Sequence, residues 1–138
     1  MPYATQSDLV EHFGATELVE LTDRSTPPAG VIDAAVLAHA QAAADSETDG
    51  YVAMRHALPL ATVPERLAHL ACDITRYHLY THAAPELVKK RYLAAVAFLR
   101  LVADGRATLG LPEQSGSAGM GLAEVVSEPR LFRRGGPR

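Results

Sequence analysis

The run Pro64-Glu65-Arg66-Leu67-Ala68-His69-Leu70-Ala71-Cys72-Asp73-Ile74-Thr75-Arg76-Tyr77-His78-Leu79 decides the fold of this chain. Leu67, Leu70, Ala71, Ile74 and Tyr77 recur at intervals of three and four, the spacing that lines side chains along one face of a helix. Pro64 suits the first turn, where its missing N–H costs no hydrogen bond. Upstream, Ala57-Leu58-Pro59-Leu60-Ala61-Thr62-Val63 reads as an extended connector, because Pro59 and Pro64 disfavour helical backbone before them. Downstream, Pro85 opens a second amphipathic helix to about Ala103, with the stripe Val88, Tyr92, Ala95, Val96, Leu99 and Val102. Asp104-Gly105 is its stop.

Further upstream, Val31 to about His56 reads as the longest helix, about 39 Å if unbroken. Its inward residues are expected to be Ile32, Val36, Ala40, Ala43, Tyr51 and Met54, with Gly50 a possible bend. Thr5 and Asp8 form a helix-start pair ahead of a short helix ending at Phe13, Gly14 stops it, and Thr16 to Leu21 is another short helix. Ser25-Thr26-Pro27-Pro28-Ala29-Gly30 is a loop. The expected fold is therefore all-α: a small antiparallel bundle of about five helices over residues 1–111, followed by an extended C-terminal arm.

Composition agrees with that reading. A chain of 138 residues has room for one domain, and 48% hydrophobic content is enough for a core. Aromatics are only 6%, with no Trp, a mix that favours closely packed helices over sheets. Cys72 stands alone, which excludes an internal disulfide and a four-cysteine zinc site and points to a reducing cytosol as the place of synthesis. The opening lacks a basic and then apolar leader, and no 18 apolar residues run together, so neither a secretory signal nor a membrane partner is expected. Residues 112–138 contain five glycines and three prolines with scattered apolar positions, and read as an arm ordered by a partner. Within it, Leu122-Ala123-Glu124-Val125-Val126 could add as a strand to an edge that a partner supplies.

The net charge of −3 conceals a lopsided layout. Residues 1–54 carry nine acids against Arg24 alone, residues 55–111 eight bases against four acids, residues 112–129 three acids, and the last nine residues four arginines. Opposite-signed halves favour head-to-tail contacts between copies, with Glu17, Glu20, Asp45 and Asp49 on one flank and Arg66, Lys89, Lys90 and Arg100 on the other. The plainer alternative is that both signs simply solvate a monomer. No continuous basic stripe that would neutralise several phosphates is present.

Signals for chemistry are weak. His69 with Asp73 and His78 with His82 stand four apart, but no Glu follows His69 as in two-histidine zinc proteases, so no metal is expected. Asp73 lies within an apolar stripe and needs a cation; Arg55, Arg76 and Arg91 are its structural candidates. No nucleophile elbow and no phosphate-binding glycine loop is found, so neither a catalytic residue nor a cofactor is expected. A small helical enzyme and a helix-turn-helix DNA-binding regulator remain the competing classes. The second is disfavoured because its reading helices would be acidic where phosphates lie.

Taken in order, the motifs resemble a known family. Tyr3-Ala4-Thr5, Asp8-Leu9, Phe13-Gly14, Glu17-Leu18 and Leu21-Thr22-Asp23 are similar to the opening of the small neck proteins of Mu-like long-tailed phages. So are Tyr51 to Leu60, Val63-Pro64 to Leu67, Ala71 to Tyr77, and Arg91-Tyr92 followed by Ala95 and Leu99. The resemblance covers about residues 1–110; it departs at His56 and Thr48, where the family carries Tyr and Ile, and leaves the arm outside. It implies a head-tail connector, also called an adaptor or head-completion protein, that forms a ring of about twelve subunits. The ring would sit beneath the portal protein in the virion neck, be assembled in the bacterial host cytoplasm, and let genome DNA pass without sequence recognition. The arm, through Leu122, Val125, Val126, Arg130, Phe132, Arg133 and Arg134, would dock the portal or a tail, stopper or tail-terminator protein.

Overall fold

A computed structural model describes residues 2–111; the arm and every expectation placed on it lie outside the described residues. Five helices follow in order: α1 (Gln6–Phe13), α2 (Ala15–Thr22), α3 (Ala34–Val52), α4 (Glu65–Leu79) and α5 (Glu86–Ala103), with no strand among the described residues. The all-α reading is the observed one.

Local chemistry sets most of the ends. Thr5 caps α1 by accepting from the Asp8 N–H at 3.1 Å, while the Asp8 carboxylate accepts from the Thr5 N–H at 2.9 Å, a reciprocal box. Gly14 then takes φ 90°, which an L side chain rarely adopts, and turns the chain straight into α2. Asp33 caps α3 through the N–H groups of Ala35 and Val36. Pro64 and Pro85 sit at the N-caps of α4 and α5.

The core is a three-helix packing of α3, α4 and α5, with the α1–α2 hairpin laid against α3 and α4. Leu67, Ala71 and Ile74 of α4 meet Leu37, Ala40, Ala44 and Val52 of α3 and Ala95, Leu99 and Val102 of α5 in one buried cluster that Leu9 and Leu18 complete. Each fully buried leucine in it contributes about 1.5–3 kcal/mol. Small alanines on α3 let its neighbours approach closely.

The long helix departs from expectation. It runs from Ala34 to Val52, shorter at both ends than Val31–His56, and its buried positions are Leu37, Ala40, Ala44, Thr48 and Val52. Of the six inward residues expected, Ala40 alone is fully buried. Ile32, Val36, Ala43 and Tyr51 lie at the margin, and Met54 is 65% exposed beyond the helix end. Seven alanines between residues 34 and 44 give both faces similar hydrophobicity, so periodicity there carries little information on which side faces in. Gly50 is an ordinary helical residue.

Candidate functional site

The charged residues expected at subunit contacts divide into two groups according to what they touch. Glu17 is held within the chain: Arg76 Nε reaches its Oε2 at 2.6 Å and Arg76 Nη2 its Oε1 at 3.2 Å, and the guanidinium stacks 4.5 Å from the Phe13 ring centre. With side chains 28% and 15% exposed, the pair is a largely buried brace between α2 and α4. The local partner considered for Arg76, Asp73, instead has Arg91 Nη1 at 3.8 Å. Burial pushes the Asp73 carboxyl above its usual range, and Arg91 opposes that shift. Arg55 donates from Nε to the Ala103 carbonyl at 3.2 Å, tying the end of α3 to the end of α5. Gly105 closes the same corner at φ 79°, where a side chain would strike the Arg55 guanidinium.

Asp45 and Asp49 are engaged as well. The Tyr3 N–H donates to Asp45 Oδ1 at 3.0 Å and the Tyr3 hydroxyl donates to Asp49, which anchors the N-terminus along α3. Burial, and then the bond to Asp49, drive the Tyr3 hydroxyl's pKa up; burial raises that of Asp45, against the pull of the Tyr3 N–H. Glu20 is exposed on α2.

The basic residues look outward. Lys89, Lys90 and Arg100 are exposed on α5 and form no ion pair among the described residues. Arg66 is exposed on α4 and covers the Phe98 ring of α5 at 4.2 Å.

A hub that spacing did not reveal lies where α3, α4 and α5 meet. Glu47 Oε1 is 3.0 Å from His78 Nε2, and its Oε2 accepts from the Tyr92 hydroxyl at 2.6 Å. Tyr92 stacks on Tyr77 with ring centres 4.0 Å apart. Burial and the Glu47 carboxylate push the Tyr92 hydroxyl's pKa up. The signals present were a lone acid between core positions of α3 and two aromatic residues on facing stripes; nothing in spacing brings the three into register.

The histidines considered for metal binding go elsewhere. His69 stands 3.6 Å from Glu65 and lies nearly perpendicular to the His12 ring with ring centres 4.5 Å apart, while His78 belongs to the Glu47 hub. Among the described residues no group of three or more His, Cys, Asp or Glu side chains converges as metal ligands would. Cys72 is fully buried and its thiol is pushed up to about 12 by burial, which makes it a poor nucleophile at neutral pH. No helix among the described residues is long and apolar enough to cross a membrane.

Thr48 and His56, the two departures from the resemblance, are both buried near the end of α3. The Thr48 hydroxyl has no hydrogen-bond partner among the described residues.

Comparison with known proteins bears out the likeness to Mu-like phage proteins and lengthens it. The family model described as Bacteriophage Mu, Gp36 matches residues 3–126. Gene product J of Escherichia phage Mu is 34% identical over 136 residues, covering 97% of this chain and 96% of that protein. The Mu-like prophage FluMu protein gp36 of Haemophilus influenzae is 32% identical over 111 residues, covering 80% of this chain and 77% of that protein. The likeness therefore runs past residue 110 into the arm, which the motifs alone had left outside. With its helices in place and nearly its whole length matched, the chain belongs to the Bacteriophage Mu, Gp36 family, a family of Mu-like phage proteins.

Proposed function

We propose that this chain is a structural protein of the phage neck: a head-tail connector whose copies form a ring between the portal and the tail or next neck protein, extending the DNA channel. Membership of a bacteriophage family supports a role in particle morphogenesis. The observation that carries the reading further is the unlikeness of the two flanks. α1 and α2 bear Asp8, Glu11, Glu17 and Glu20 with no Lys or Arg, while the exposed charges of α5 are mainly Lys89, Lys90, Arg91 and Arg100. α5 packs on α3 and α4 away from the hairpin. Flanks of opposite sign favour heterologous over self-complementary contacts, and heterologous contacts make a ring when the rotation between neighbours closes. The modest net negative charge lets DNA pass without adhering. The protein acts by fitting, and no reaction is assigned to it.

The arm supplies the docking contact to portal or tail in this reading. Deleting residues 112–138 is expected to leave the far-ultraviolet helical signal of the remaining chain intact and to abolish attachment. The reading as a whole is tested by electron microscopy of lysates from a phage in which the chain's gene is disrupted. Filled heads and separate tails are expected; intact particles would contradict it.

A further inference from the structure

Half of the exposed large hydrophobic residues among those described lie on one helix. They are Leu87, Leu93 and Leu101 of α5, exposed by 57%, 54% and 37%. Leu87, Ala94 and Leu101 are seven apart and so share a face, beside which Leu93 and Ala97 stand, all exposed. The opposite face of the same helix is the buried Val88, Ala95, Val96, Leu99 and Val102. A helix at the edge of a bundle ordinarily turns a polar face to water, so apolar residues on both sides mark a surface that something covers. Lys89, Lys90 and Arg100 border the leucines, so the cover is acidic as well as apolar.

Such a surface exists elsewhere on the molecule. Two of the remaining exposed hydrophobics, Met54 and Leu58, follow the end of α3. Leu58 rims a depression of about 260 Å³ whose other walls are Tyr3, Asp49, Pro59 and Leu60. Asp45 lies one turn before Asp49, and α3 contains no Lys or Arg. The contact cannot form within one chain, because α5 already lays its inner face on α3 and turns the leucines away. Two α5 faces paired about a two-fold axis would set Lys89, Lys90 and Arg100 against their own copies, which is unfavourable.

We propose that the outward face of α5 in one copy seats on the Tyr3–Asp49–Leu58 depression of the next copy, making the head-to-tail contact between subunits. Its closure into a ring rests on the connector reading; the contact itself does not.

The test is crosslinking of the full chain carrying Leu93→Cys and Leu58→Cys with a bifunctional maleimide, both as purified protein and in particles of the phage that encodes it. A ladder of multimers from the double variant, and none from either single variant, is the expected result; buried Cys72 contributes no background. Adding Lys90→Glu and Arg100→Glu should weaken association about tenfold, a shift of ~1.4 kcal/mol. Dimers from Leu93→Cys alone would overturn the proposal by showing a two-fold contact, as would crosslinks from residue 93 to a different protein. Particles whose neck image contains a ring of this chain, yet give no ladder, would overturn the contact and leave the connector reading standing. A ladder from the purified chain with none of it in the particle would do the reverse.

Discussion

The seven acids of α1 to α3 and the four bases of α5 do different work. Glu17 grips Arg76, Glu47 joins His78 to Tyr92, Asp45 and Asp49 hold Tyr3, and Asp8 and Asp33 cap helices. Lys89, Lys90 and Arg100 of α5 project into solvent beside exposed leucines. Lopsided charge along a chain therefore overstates how much of that charge is free of duties inside the fold. On one side most of the acids also hold the fold together while keeping their charge, and on the other Lys89, Lys90 and Arg100 have no such task.

That contrast predicts opposite consequences for substitutions of the same formal kind. Arg76→Ala should have the largest effect, lowering unfolding stability by about 3 kcal/mol in chemical denaturation because it strands a largely buried Glu17. A loss below about 1 kcal/mol would show that the brace is a surface pair after all. Thr48→Val should go the other way, raising stability by about 1 kcal/mol, since it replaces a buried hydroxyl without a partner by a methyl of the same shape.

A smaller, pH-dependent change is expected of Asp73→Asn. Burial raises the carboxyl's pKa in the folded state above its unfolded value, so Asp73 is harmless while protonated and becomes costly as pH rises through that raised value. The variant should match the parent near pH 3 and exceed its melting temperature at pH 7. The opposite sign holds for Asp8, whose bonds from Thr5 lower its pKa and whose support is lost as pH falls. The least effect on stability, within about 0.5 kcal/mol, is expected of Lys90→Glu with Arg100→Glu. A large loss from that pair would mean that α5's bases, too, belong to the fold.

Much of the architecture was legible because it is local. Pro64, Pro85, Gly14 and the Thr5–Asp8 box punctuate the chain within a few residues of where they act, and α4 and α5 show clear stripes. The register of α3 was not legible, because an alanine-rich helix offers little contrast between its faces. The partner of Arg76 was not legible either: Asp73 stands three residues away, whereas Glu17 stands fifty-nine away and arrives only when the α1–α2 hairpin is laid against α3 and α4. The same holds for Glu47, whose two partners come from separate helices. On the candidate site, the exposure of Lys89, Lys90 and Arg100 could be read from their positions on α5, while the fate of Arg66 and of the acids depended on tertiary packing.

The most direct measurement is a three-dimensional image of the neck of the assembled particle, resolved well enough to trace helices. A closed ring of this chain between portal and tail, with neighbouring copies related by rotation, is the predicted density. A complete neck joining head to tail without any copy of these five helices would contradict the account.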